Sequence, residues 1–347
     1  MANDLDAFMA TMVARSPAVP IELAVTLARE RYGFETRATR LTGERDENFR
    51  LRAVDGAEYV LKIAHSAEAP AVTELPTAAL LHLAKTDPVL PCPRVVRERA
   101  GGTEVRFVDE SGRERTARIL TYLPGKLLGT AARSARQRQA CGRIAGRLSN
   151  ALRGFEHTGA HRAIAWDVRH ARQVRRLLDQ VPDFPHRQAA AELLERIVPR
   201  IESRLPRLRQ QVVHNDINPR NILVEPADEA RVSGIIDFGD LTHTALIADV
   251  AVTAAEQIPE DCGDDAGGAC AAVLDVASAY HESAPLKEEE LAVLGTLVAA
   301  RLAANLVIHE WHLHHNPAGG HYAPLAPHFI RARLSIAREL SLEEIKL

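Results

Sequence analysis

The chain has 347 residues, of which 46% are hydrophobic and 26% charged. That is ordinary globular usage, long enough for a large core and one or two domains. The formal charge of −3, with arginines interleaved among acids, excludes a polyanion-binding balance, so no nucleic-acid partner is expected.

The four cysteines, Cys92, Cys141, Cys262 and Cys270, form no CxxC pair, and the expectation is a reduced, cytoplasmic protein. The opening residues MANDLDAFMATMVARSP have early acids and no long apolar core, so they do not read as a signal peptide. PIELAVTLARER (20–31) has helical spacing of its apolar positions. TRATRL, NFRLRAVD and EYVLKIA then alternate in polarity between turn formers (Gly43, Asp55-Gly56) and read as three antiparallel strands. A helix is predicted over about 71–85, with Pro76 tolerated in its first turn. Strand-like pieces return at RVVRER, EVRFVD and RTARILTY, with AGG and ESG as turns. After Leu123-Pro124-Gly125 the texture is helical, beginning with TAARSARQRQACGRIAGRLSNAL. Further helices are predicted near 167–180, 188–205, 245–257, 268–282, 287–313 and 323–342, and short strands near 211–213, Ile222 and Ile236. The fold class is therefore α+β, with a strand-rich part over 1–122, a helical part over 123–347, and TYLPGK as the hinge. LAVLGTLVAARLAANLVI contains Arg301 and Asn305, so it reads as a buried helix and not a membrane span. PEDCGDDAGG reads as a surface loop.

The stretch VVHNDINPRNILVEPADEARVSGIIDFGD (212–240) sets two acids and an amide beside strongly apolar runs. Phosphoryl transfer from a nucleotide needs a carboxylate that orients the attacking hydroxyl and takes its proton. It also needs oxygen ligands that hold Mg2+ against the phosphates. Asp216 suits the first role; Asn221 and Asp237 suit the second. A β-hairpin turning at PADE would bring Asn221 and Asp237 together. His214 reads as structural. Asp249 reads either as a second brace for the loop or as an ordinary charge in a helix first turn.

HNDINPRNIL followed by GIIDFGD resembles the catalytic and metal loops of the aminoglycoside phosphotransferase and choline kinase superfamily. That resemblance implies a two-lobed, protein-kinase-like fold with a small antiparallel N-terminal sheet and a mostly helical C-terminal lobe. It also implies a lysine on the α/β-phosphates, supplied by Lys62 in EYVLKIA, and a helical glutamate to fix it, supplied by Glu74. LTGERDENFRL, with Gly43 as its flexible point, would cover the phosphates. In RILTYLPGK the backbone groups of Leu120 and Tyr122 would meet the base of ATP or GTP. There is no GxxxxGK[ST], which disfavours a P-loop kinase. Two departures stand out: Asn215 where the superfamily usually has glycine, and Asn218 where protein kinases carry lysine. No activation loop follows DFG, so a protein substrate is not expected.

HNDxNxxN with GIIDFGDL, the WDVRHA segment and RLAANLVI resemble the hydroxylysine kinase branch. This implies a small hydroxylated amino acid or amino alcohol as substrate. Arg301, Trp311, Trp166 and Asp240 are candidates to hold its carboxylate and ammonium. Three other readings stay open: an aminoglycoside phosphotransferase using PEDCGDDAGG and KEEE as an acidic surface, a homoserine kinase, and a non-catalytic module partnering an aminotransferase. HEWHLHHNPAGGH is not HExxH and reads as a solvated helix end and not a zinc site. Oligomeric state is not readable.

Overall fold

The computed structural model describes residues 9, 18–43, 45–109, 112–259, 262–316 and 323–347. The opening segment, Glu44 of the phosphate loop, part of the ESG turn, part of PEDCGDDAGG and the end of the histidine-rich segment lie outside these. The chain divides into two compact units. One is Ala10–Pro124 with His157–Gly159, and the other is built mainly from Gly125–Glu156 and Ala160–Leu347.

The first unit is a six-stranded antiparallel sheet. Strands β1 (Thr36–Leu41), β2 (Glu47–Ala53) and β3 (Glu58–Ile63) form two successive hairpins. The second hairpin turns at Asp55-Gly56: Gly56 takes φ 88° and the Asp55 carboxylate accepts the Ala57 amide at 2.9 Å. The order is β1-β2-β3-β6-β4, where β4 is Val95–Val96 and β6 is Glu114–Thr121, and β5 (Val105–Val108) also pairs with β6. Period-two alternation puts Phe49, Leu51, Leu61, Ile63, Ala117 and Ile119 on one face. There they bury against Leu27 and Tyr32. Helix α1 (Ile21–Leu27) supplies Leu27 and runs on as a π-turn through Tyr32, ending at Gly33 in a left-handed cap. On the way to β6 lies α2 (Pro70–Thr86). Pro76 sits in its second turn and is buried, so the predicted first-turn placement is corrected: the helix begins at Pro70.

The second unit is mostly helical. Helix α3 (Ala135–Ala151) starts five residues later than predicted, because Ser134 takes extended backbone and its hydroxyl accepts the Gln137 amide at 3.2 Å. The short helix α4 (Ala171–Leu177) and the longer α5 (Arg187–Arg204) follow, then α6 (Leu246–Gln257), α7 (Ala266–Ser283), α8 (Glu288–His315) and α9 (Pro327–Leu340). Helix α8 is long and apolar enough to cross a membrane, but 83% of its most apolar window is buried inside the protein. It packs on α4, α5, α6 and α9.

Helices α3 and α7 approach backbone to backbone. A Cβ on Gly142 would lie 2.2 Å from the Val276 carbonyl oxygen, and one on Gly146 would lie 2.8 Å from that of Tyr280. Gly142→Ala is expected to cost about 1–3 kcal/mol by forcing the helices apart. Urea denaturation should show a lower midpoint at unchanged slope.

Two small sheets carry the loops of interest. Strand β8 (Gln210–Val213) pairs with β11 (Thr242–Ala245). Strand β9 (Ile222–Glu225) lies between β10 (Asp228–Ile235) and β7 (Lys126–Leu127). Sequence reading missed β7, which is two residues long, and β11, whose THTA runs straight into the apolar pattern of α6.

Candidate active site

The loop after β8 turns at once. Asn215 adopts φ 65°, the left-handed region, which asparagine tolerates better than most residues. The turn is braced from α6, where the buried Asp249 carboxylate accepts the Asn215 amide at 2.8 Å and also the His214 amide. This answers the open reading of Asp249: it holds the loop. His214 is fully buried, its ring edge against Phe238 at 4.8 Å between centroids, and its Nδ1 accepts the Asp216 amide at 3.3 Å.

Burial pushes the Asp249 carboxyl up to about 6 against its two amide donors, and pushes the His214 imidazole down to about 4. The two act oppositely on stability. Folded Asp249 holds its proton more tightly than the unfolded chain does, so its contribution is present in acid and lost as pH rises from about 4 to about 6. Folded His214 resists protonation, so its contribution is present above the ordinary imidazole range and lost as pH falls towards 4. Asp249→Asn removes only the first effect. The variant's stability relative to the parent should therefore improve by about 3 kcal/mol as pH rises from below 4 to above 6. Denaturant titrations at several pH values check this, and a pH-independent difference would contradict it.

Asp216 stands at the tip. Its Oδ1 accepts from Asn218 Nδ2 at 2.8 Å and from an Arg301 guanidinium nitrogen at 3.2 Å; its Oδ2 accepts from Asn221 Nδ2 at 2.6 Å. Burial and the neighbouring Asp240 push its carboxyl well above the ordinary range, partly offset by Arg301 and Asn218. Asn221 and Asp237 flank the open end of the β9–β10 hairpin. Ile222 pairs with Ile235, and the Ile236 amide donates to the Asn221 carbonyl at 2.9 Å. Asp237 takes φ 62°, uncommon for a non-glycine, and its Oδ1 accepts the Gly239 amide at 3.4 Å. The guanidinium of Arg162 bonds the Gly239 carbonyl and steadies this turn. The structure thus brings Asp216, Asn221 and Asp237 to adjoining loops. Among the described residues no group of three or more His, Cys, Asp or Glu is placed to hold a metal. One amide oxygen and one carboxylate form a hard-oxygen donor set, which fits Mg2+ completed by water and phosphate.

Arg301 on α8 is almost fully buried, with partners on three sides. It bonds Asp216, Glu256 Oε1 at 3.1 Å and the Trp166 carbonyl at 3.0 Å, with its guanidinium carbon 5.5 Å from the Trp166 ring centre. Asn305, one turn on, also donates to Glu256 Oε1, at 2.9 Å. The WDVRHA segment is tied to β11, through Asp167 to Thr244 and Arg169 to the His243 carbonyl, and this sets the Trp166 carbonyl. Glu256 was missed from sequence. Trp311 is engaged elsewhere, its Nε1 on Gln180 and its ring stacked on His315 at 4.2 Å. His309 bonds the Ala323 carbonyl at 2.8 Å.

In the sheet unit Lys62 lies on β3 with its Nζ 4.0 Å from Asp46 Oδ2. The expected Glu74 contact needs correction. Glu74 is on α2 but points outward, and its carboxylate pairs with Arg106 at 2.7 Å. The face of α2 turned inward carries Thr73 and Thr77. A Cβ on Gly43 would lie 2.3 Å from the Asp46 carbonyl oxygen, so the loop folds on itself in a way that admits only glycine there. Leu120 pairs with Val60 on one flank and Val95 on the other. The Tyr122 amide donates to the Glu58 carbonyl at 3.1 Å, which leaves only its carbonyl for a base edge. Its ring lies under Arg50 at 4.3 Å.

Residues 37–291 match the phosphotransferase enzyme family, APH. The chain belongs to this family. It is an enzyme, a small-molecule phosphotransferase. Over 309 residues it is 26% identical to hydroxylysine kinase of Mus musculus, spanning 82% of this chain and 80% of that one. It is 31% identical over 243 residues to homoserine kinase of Methylobacillus flagellatus, spanning 68% and 67%. Among solved structures, an amicoumacin kinase in complex with AMP-PNP, Ca2+ and Ami matches with a TM-score of 0.69 at 15% identity, covering 94% of this chain and 96% of that one. In this phosphotransferase the cation beside the aspartate comes from a distant helix. Asn218 holds the place of the protein-kinase lysine, and Arg301 brings the positive charge to Asp216.

Proposed function

We propose that this phosphotransferase moves the γ-phosphoryl of ATP or GTP to the hydroxyl of a small amino acid or amino alcohol of the hydroxylysine kind, with Mg2+. The observation that carries the reading is Asp216 bonded to Asn221, with Asp237 across the hairpin end and the acids Asp240 and Glu256 acting on the same carboxylate. Asp216 orients the acceptor hydroxyl and takes its proton. Asn221 presents its amide oxygen to the cation, its nitrogen being held by Asp216, and Asp237 presents a carboxylate. Bound Mg2+ supplies charge neutralisation on the phosphates. Lys62 meets the α/β-phosphates, Gly43 lets the loop close over them, and Leu120 and Tyr122 border the base. Glu74 ties α2 to β5 through Arg106 and does not hold Lys62.

An ammonium on the substrate meets Asp240 and Glu256, since Arg301 neutralises only part of that cluster. Trp166 borders the same place through its ring. No disulfide joins the four cysteines, which supports a reducing, cytoplasmic setting. The homoserine kinase reading is kept because that relative is the more identical in sequence. An aminoglycoside surface is less well supplied than the sequence suggested. In KEEE, Glu290 is buried on Arg209, and in the acidic loop Asp265 caps α7. The test is a panel of hydroxylysine, homoserine, amino alcohols and aminoglycosides with ATP and with GTP, read as nucleoside diphosphate release. Turnover of hydroxylated amino acids or amino alcohols is expected. Turnover of aminoglycosides alone would overturn the substrate reading.

A further inference from the structure

Lys62 and Arg118 are direct partners across the β3–β6 pairing, so their side chains leave the same face of the sheet. Two cations placed opposite each other repel, and a fold tolerates this only where anions lie between them. Arg118 is 3% exposed. One of its terminal nitrogens is committed: it donates to the Thr73 carbonyl on α2 at 2.6 Å and faces Glu104 at 3.6 Å, whose carboxylate also accepts from Thr77. The other faces Asp46 Oδ2 at 3.7 Å, beyond hydrogen-bond length, and Nε is buried with no hydrogen-bond partner. Asp46 Oδ2 is the same oxygen that Lys62 approaches at 4.0 Å. It comes from the turn between β1 and β2, beside Gly43. A buried guanidinium whose Nε has no hydrogen-bond partner and whose second terminal nitrogen meets a carboxylate only at long range, directly opposite a lysine, is a cradle with room for a stronger anion.

We propose that Arg118 is a second phosphate-binding cation beside Lys62, and that Asp46 is a resident counter-ion which the nucleotide's phosphate replaces. The inference rests on the reading that the sheet unit receives the triphosphate, and it gives a role to two residues, in LTGERDENFRL and RILTYLPGK, to which the resemblance assigned none. A phosphate offers more oxygens and more charge than a carboxylate, so it can satisfy both cations at hydrogen-bond distance. Displaced from the cradle, Asp46 moves with the turn that carries it.

The test measures binding of AMP-PNP and of adenosine to the full chain by calorimetry. Arg118→Met should raise the dissociation constant for AMP-PNP about tenfold or more and leave that for adenosine unchanged. Asp46→Asn should tighten AMP-PNP. Equal losses for adenosine and AMP-PNP would show that Arg118 only supports the fold, and would overturn the proposal. So would an unchanged AMP-PNP constant in Arg118→Met, or weaker AMP-PNP binding in Asp46→Asn. If Arg118→Met does not fold, Asp46→Asn decides. If the parent chain binds AMP-PNP but phosphorylates no hydroxylated amine, the substrate reading falls and this inference is still judged on the binding constants.

Discussion

Asp216→Asn is expected to lower kcat by about 10²–10⁴-fold while leaving the dissociation constant for nucleotide within a few-fold of the parent. The substitution keeps the side chain's shape and removes its ability to take a proton. Every contact that the Asp216 carboxylate makes is as an acceptor: Asn218, Arg301 and Asn221 all donate to it. An amide nitrogen at this position must therefore face at least one donor, so a stability loss of about 1–3 kcal/mol accompanies the loss of activity. Nucleotide binding by the folded fraction separates the two effects, because the proposed phosphate and base contacts lie on other residues. In the parent, burial and the Asp240 charge hold the Asp216 carboxyl well above the usual carboxylate range. The acid limb of the kcat profile should accordingly fall above that range. Parent-like turnover in Asp216→Asn would remove Asp216 from the chemistry.

Arg301→Met should be the more damaging change to the fold, at about 3–5 kcal/mol. The guanidinium lies between Asp216 and Glu256 and also donates to the Trp166 carbonyl. Methionine fills much of the volume but leaves two part-buried carboxylates without their counter-ion. Breaking a buried pair costs far more than the pair contributes, because the remaining charge has nowhere to go. The Asp216 carboxyl should rise further and activity should fall with stability. Arg301→Lys keeps the charge but loses the fork that reaches three partners, so an intermediate loss is expected. Urea denaturation with turnover measured on the same samples checks both. A Met variant within about 0.5 kcal/mol of the parent would mean that the pairing with Asp216 does not matter.

The placement of the proposed catalytic residues was legible because its determinants are local. Asp216, Asn221 and Asp237 sit at fixed spacings beside short apolar strands, and the hairpin between Ile222 and Ile235 follows from PADE. Lys62 was legible as a cation in an apolar strand. Glu74 was misread because sequence gives a helix's period but not its rotation. The α2 face that meets the sheet carries Thr73 and Thr77, and Glu74 turns out to Arg106. Arg118 was missed because the β3–β6 register sets it opposite Lys62, and register is a property of the folded sheet; Asp46 was missed because it reaches the same pair from the β1–β2 turn. One signal was available: RTARILTY carries an arginine in an apolar run, as EYVLKIA carries a lysine. Glu256 gave no signal, since its role depends on α6 packing against α8. The late start of α3 was readable in retrospect from Ser134 three residues before Gln137.

The most direct measurement is anomalous scattering from Mn2+ in crystals grown with AMP-PNP. The account expects a peak within bonding distance of the Asn221 amide oxygen and an Asp237 carboxylate oxygen, with Asp216 turned to the space beside the terminal phosphate. A manganese ion bound elsewhere, with Asn221 and Asp237 making no contact to it, would contradict the account.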